Sequence, residues 1–246
     1  MRFEEKCATH NVQNGYTSTN EEPELFRRLL GVKRFNRAAS ICSGGEIPMM
    51  VLLPRSKEVV AIDHSYVALA ACWIKAKILE DLGANKMRED LIDERYDNLN
   101  AVMAKVKDTI PAELKAHINM NSYTLGEMRK EVFHNRIHPR TLRKLDNLTL
   151  VHGDLTDLTQ YGQFDILYIS NAMEHQNRFK KNPALQDFLP LVKDEGLLLA
   201  SGYSAFSKSG AKVLNGWEHL RTIRGIRTGW NHSLLKKVPQ EKVATP

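Results

Sequence analysis

The sequence predicts an α/β fold built on a mainly parallel sheet, on three observations. Short apolar runs recur at 38–42, 58–63, 148–152, 164–170 and 197–201, and helical patterns separate them. The runs are almost continuously apolar, as expected of strands covered on both faces. Polar oddities gather just past the runs, where ligands collect in sheets of this kind.

Residues 1–22 are polar and aperiodic and read as irregular chain. A short helix follows over 23–30, favoured at its start by Glu21 and Glu22, and the stretch 1–34 forms an N-terminal arm. The first strand, 38–42, runs into Ser43, Gly44 and Gly45. A helix over about 46–53 comes next, with Pro48 in its first turn, where a missing N–H costs nothing. After a break at 54–56 the second strand, 58–63, ends on Asp63. Ser65 caps a helix that carries Val67, Leu69, Ala70, Trp73, Ile74 and Ile78 up to Gly83, its C-terminal cap.

From about 85 to 146 the alternation stops in charged, mostly helical sequence, which reads as an insertion in a single domain spanning 1–246. The third strand, 148–152, ends near Asp154, and the fourth, 164–170, leads to Asn171. A short helix, a turn at 194–196 and a fifth strand at 197–201 follow. Weak strand patterns lie near 219–225 and 232–238.

The chain has 246 residues, 42% hydrophobic and 26% charged, the profile of a folded globular protein. Its three cysteines include no CxxC pair, and Cys42 and Cys72 lie in apolar stretches, which suggests a reducing, cytoplasmic setting. No signal peptide or membrane span is expected, because the start is charged and the apolar runs are short. The net charge of +6 is weighted toward the last third of the chain, as at Arg221, Arg224 and Lys237. Such a surface suits nucleic acid, anionic lipid or an acidic substrate, but no aromatic residues alternate with the basic ones as stacking platforms would. A solvated surface is the plainer reading, and the oligomeric state is not legible. No metal site is expected: His134 and His138 have helical spacing, yet Pro139 ends the helix and no third ligand follows.

A glycine turn after a first strand lets a ligand approach the main chain, and the N–H groups opening the next helix favour a negative group. The sequence S-G-G-E does not meet the dinucleotide fingerprint. Asp63, 18 residues past Gly45, is placed to accept hydrogen bonds from ribose hydroxyls, and Asp154 to accept the exocyclic amine of an adenine. Each also has a plainer role: the glycines as a tight turn, Asp63 as a cap for the next helix, Asp154 as a cap or loop acid.

The segments AASICSGGE, VVAIDHS, LVHGDLTDL, FDILYISNAMEH and LVKDEGLLLAS together resemble the class I S-adenosylmethionine-dependent methyltransferases, over roughly residues 35–204. The resemblance implies a Rossmann-like, seven-stranded, mostly parallel sheet, S-adenosylmethionine as cofactor, and group transfer. A narrower similarity joins residues 41–83 and YISNAMEH to the group that transfers the 3-amino-3-carboxypropyl arm of S-adenosylmethionine to diacylglycerol. Carried over by position, Ser43, Gly44 and Gly45 border the methionine part and Glu46 accepts from its ammonium. Asp63, with His64 beside it, holds the ribose, and Asp154 with the Leu155 N–H faces the adenine. Ser170 closes the strand that leads to the reaction centre, Asn171 orients donor or acceptor, and Glu174 or His175 serves as base. The Asn/Asp-Pro-Pro-Tyr motif of adenine and glutamine methylases is absent, which argues against those acceptors.

The expected activity is therefore methyl transfer to a small-molecule or lipid-like acceptor. The alternatives are aminocarboxypropyl transfer and a catalytically silent module that docks through its basic C-terminal third.

Overall fold

The computed structural model describes residues 1–5, 22–92, 105–106, 108–116, 139–170, 185–202, 213–225 and 229–239. Its strands are β1 (Arg2–Glu5), β2 (Phe35–Ile41), β3 (Ser56–Asp63), β4 (Leu148–His152), β5 (Phe164–Tyr168), β6 (Val192–Ser201), β7 (Val213–Leu214), β8 (Trp217–Arg224) and β9 (Asn231–Lys237). They join one sheet in the order β1-β4-β3-β2-β5-β6-β9-β8-β7. The pairs from β1 across to β6 are parallel. β9 lies antiparallel between β6 and β8. The α/β class with a mostly parallel sheet is thus as expected, but among the described residues the sheet has nine strands rather than seven.

The two additional strands are the edges. β1 lies in the part of the arm read as irregular and pairs in parallel with β4. Its sequence, RFEE, is too short and too polar to show a strand period. What holds it is tertiary: the N-terminal ammonium reaches Asp146 at 3.1 Å, and Glu5 accepts from the Tyr66 hydroxyl at 2.7 Å. β6 corrects a second expectation, since it starts at Val192 and the residues read as a turn form an irregularity within it. Phe164 pairs with Val192 while Ile166 pairs with Leu197, so the surplus residues bulge, and Glu195 takes a φ of 62°.

Successive residues of the strands point to opposite faces and build two cores. On one face Ala38, Val59, Ala61, Leu150 and Ile166 pack with helices α1 (Pro23–Leu30) and α2 (Tyr66–Ile92). On the other, Ala39, Val60, Val151, Leu167 and Leu198 meet the 3₁₀ helices Leu155–Tyr161 and Leu185–Leu191. Trp217, fully buried, donates from its indole N–H to Leu185 O at 3.0 Å and fastens β8 to that second layer.

The segment expected as an ordinary helix over about 46–53 is a π-helix, Ile47–Leu52, followed by a 3₁₀ turn, Leu53–Arg55. Pro54 has no N–H, so a regular helix would leave the Met50 carbonyl without its partner four residues on. Arg27 supplies it instead, from Nε at 3.3 Å and Nη2 at 3.2 Å. Thr141 Oγ1 takes the Met49 carbonyl and Arg55 Nη1 the Val51 carbonyl. Leu53 N–H turns back to Pro48 O, the five-residue step of a π-helix.

α2 begins where Ser65 Oγ accepts the Ala68 N–H at 3.3 Å, and it breaks at Gly83 (φ 72°, ψ 157°), as expected of a cap there. It packs against the bend after β2. A Cβ on Gly45 would stand 2.6 Å from Cys72 Sγ and 3.0 Å from Cys72 Cα. The body that comes close to Gly45 on that side is therefore helix α2. No described helix is long and apolar enough to cross a membrane.

Gly45 also has a φ of +102°, so Gly45→Ala combines a backbone clash with a left-handed conformation. We expect it to lower stability by about 3 kcal/mol or more in urea unfolding; a loss under about 1 kcal/mol would mean that α2 does not sit on the bend as described.

Candidate functional site

The strand order reverses at β2, with β3 and β4 on one side and β5 and β6 on the other. In open parallel sheets the crevice beyond the C-terminal strand ends at such a point receives ligands. The chain leaves β2 there through Ser43, Gly44 and Gly45, whose φ angles of 43°, 84° and 102° are all left-handed. Glycine accepts such values freely and serine does not. Across the crevice, at the end of β5, buried Ser170 has a φ of 53°. The other described non-glycine residues with positive φ, Glu195 and Asn215, lie in the β6 bulge and the bend between β7 and β8. Left-handed backbone at two neighbouring strand ends, where the strand order reverses, is of the kind that clusters at functional sites.

Asp63 closes β3 and ties the crevice together. Its Oδ2 accepts the Ser43 N–H at 3.0 Å, and its Oδ1 accepts the Ser65 N–H at 3.0 Å. Its main-chain oxygen accepts the Gly153 N–H at 3.0 Å, which brings the end of β4 alongside. Burial is the largest influence on this carboxyl and raises its pKa, while His64 and the two N–H groups pull the other way; the net shift is upward. Asp63 is thus both a cap for the loop into α2 and an acid with lone pairs to spare, since a carboxylate accepts about four hydrogen bonds.

Glu46 meets a cation supplied by the chain itself. Its Oε1 is paired with Lys75 Nζ, and the two side chains are 1% and 3% exposed. Lys75 also donates to Gly44 O at 3.1 Å, which fixes the bend from below. Lys75 was not singled out in the sequence, although a lysine inside the apolar run AACWIKAKI signals a buried acidic partner. Behind the bend lie the free, buried thiols of Cys42 and Cys72. Burial, with Cys72 beside it, pushes the Cys42 thiol well above its ordinary value, so it packs as a neutral hydrophobe.

On the β4 side, His152 is fully buried and stacked on Tyr66, ring centroids 3.8 Å apart. Its Nε2 faces His64 O at 3.2 Å, while its Nδ1 has no partner among the described residues. Asp154 is exposed at the start of the 3₁₀ helix Leu155–Tyr161, and its N–H donates to Asp157 Oδ2 at 2.8 Å. Leu155 follows it, half-buried. Thus Ser43, Gly44, Gly45, Glu46, Asp63, His64, Asp154, Leu155 and Ser170 all lie at the C-terminal ends of β2 to β5. Asn171, Glu174 and His175, expected to act on the acceptor, lie outside the described residues, as do His134 and His138. No cluster of metal-ligating side chains occurs among the described residues.

No family model matches the chain, and no curated protein matches it. Solved structures with a similar outline include the N-methyltransferase NodS from Bradyrhizobium japonicum, at 8% identity and a TM-score of 0.45, covering 88% of this chain and 94% of that one. The complex of NodS with S-adenosyl-L-homocysteine overlaps at 9% identity and 0.47, over 89% and 86%. A SAM-dependent methyltransferase from Thiobacillus denitrificans, also with S-adenosyl-L-homocysteine, overlaps at 10% and 0.42, over 88% and 70%. Overlaps this loose leave the chain's own geometry as the ground for a functional reading.

The raised pKa of Asp63 fixes the sign of a pH effect. A native carboxyl that holds its proton to higher pH than the unfolded one makes stability fall as pH rises from about 4 through its folded pKa. The stability of the wild type relative to Asp63→Asn should therefore decline with pH across that window in denaturant titrations. A difference that grows with pH would contradict this placement of the carboxylate.

Proposed function

We propose that this chain is an S-adenosylmethionine-dependent transferase that moves a methyl group to a small-molecule or lipid-like acceptor. The observation that carries the reading is Asp63, clamped to the bend after β2 at the point where strand order reverses. Two lone pairs beyond those used by Ser43 and Ser65 suit the paired hydroxyls of a ribose. The bend offers main chain bare of side chain at Gly44, and exposed Asp154 stands at the rim on the β4 side for an adenine amine.

When bound, S-adenosylmethionine supplies an activated carbon on a sulfonium, so orientation is most of what the protein must add. Glu46 is buried and paired with Lys75, so the part we give it is to hold the methionine side of the bend in place. Ser170 turns the chain at the end of β5 toward Asn171, to which we assign orientation of the reactants. Where the acceptor carries a proton, Glu174 or His175 takes it.

Aminocarboxypropyl transfer would use the same ledge with a different carbon facing the acceptor, and the products separate the two: S-adenosylhomocysteine for methyl transfer, methylthioadenosine for the alternative. Calorimetry should show S-adenosylmethionine binding to the wild type and binding about 10- to 100-fold weaker to Asp63→Ala, the worth of hydrogen bonds to a charged acceptor. Equal affinities, or no binding by the wild type, would overturn the proposal.

A further inference from the structure

The opposite ends of the strands carry a concave surface. A cleft of about 790 Å³ opens at the starts of β2, β3, β5 and β6. Strand β2, seven residues long, sets it roughly 20 Å from the Asp63 ledge. The volume is that of small-molecule sites.

Its charge is unbalanced. Seven basic side chains line it against three acidic ones, a formal excess of +4. All three acids are already engaged: Asp165 with Lys193 at 2.7 Å, Asp194 with Lys237 at 3.1 Å, and Glu195 with Lys236. Asp165 is further occupied by the N–H groups of Asn36 and Arg37, at 2.6 and 2.8 Å. Arg55 and Lys144 spend donors on carbonyls, Arg55 on Val51 and Gly31 and Lys144 on Ser56, and neither makes an ion pair among the described residues. Lys33, Arg34 and Lys57 are exposed and make no ion pair among the described residues.

The cations also crowd one another. Burial, then Arg27 and Arg34, push Arg55 below its ordinary pKa, and burial, then Arg34 and Arg140, do the same to Lys144. Phe35, Leu197 and Leu220 add apolar wall. The sequence does not show this site, because its cations come from five separate segments, of which only those at Lys193 and Lys236 belong to the last third of the chain.

We propose that this cleft binds a small ligand carrying two or more phosphate groups, a nucleoside diphosphate or triphosphate or an inorganic polyphosphate. Two phosphates bring about −3 to −4 at neutral pH, which matches the excess of the lining. A single carboxylate or chloride does not. The concave shape and the paired acids among the cations suit a compact anion better than an extended polymer, which would lay its backbone across those acids.

Calorimetry on the full chain with inorganic tripolyphosphate and with ADP tests this. One tripolyphosphate should bind per chain. Replacing both Arg34 and Lys57 by serine, at exposed positions, should weaken binding at least about tenfold, as loss of two charged contacts implies. Asp63→Ala should leave it unchanged, which separates this site from the proposed cofactor ledge. ADP binding more tightly than tripolyphosphate identifies a nucleotide site, and the reverse a phosphate site; either supports the proposal. No binding by either ligand, equal binding by the double variant, or tighter binding of an oligoribonucleotide than of both would overturn it.

Discussion

One buried aspartate joins the ends of three strands. Asp63 accepts main-chain N–H groups from the loop leaving β2 and from the loop leaving its own strand, and its carbonyl receives a third from the loop after β4. Hydrogen bonds to a charged group contribute about 1.5–3 kcal/mol each, against the cost of burying the charge. The raised pKa says that burial outweighs the bonds when the carboxyl ionises.

The bend that Asp63 holds is constrained from below as well. Lys75 donates to Gly44 O and pairs with Glu46, and removing either partner of a buried pair leaves the other charge stranded. Cys72 fills the space beside Gly45. With α2 beneath it and Asp63 at its side, the chain keeps Ser43 in a left-handed conformation that serine seldom adopts. The glycines therefore serve two masters: Gly45 admits the helix, and Gly44 leaves main chain bare.

The strands at the centre were legible because burial on both faces demands continuous apolar sequence, and 148–152 is found with its bounds unchanged. β2 begins three residues and β3 two residues earlier than expected, since Asn36, Arg37 and Lys57 interrupt the apolar pattern there. β1 could not be read: four residues of RFEE become a strand only because β4 offers an open edge. The π-helix was hidden too, because it depends on Arg27, Arg55 and Thr141 reaching carbonyls that Pro54 and the wider winding leave over. At the site, the glycines and Asp63 stood out as polar breaks after apolar runs. The pairing of Glu46 with Lys75, 29 residues apart, needed the fold.

The central claim, that the Asp63 ledge receives an adenosine-bearing cofactor, is tested most directly by a crystal structure of the chain grown with S-adenosylhomocysteine. Both ribose hydroxyls should lie within about 3 Å of the Asp63 carboxylate, with the adenine on the Asp154 side. A nucleoside bound away from Asp63, with its ribose on other residues, would contradict it.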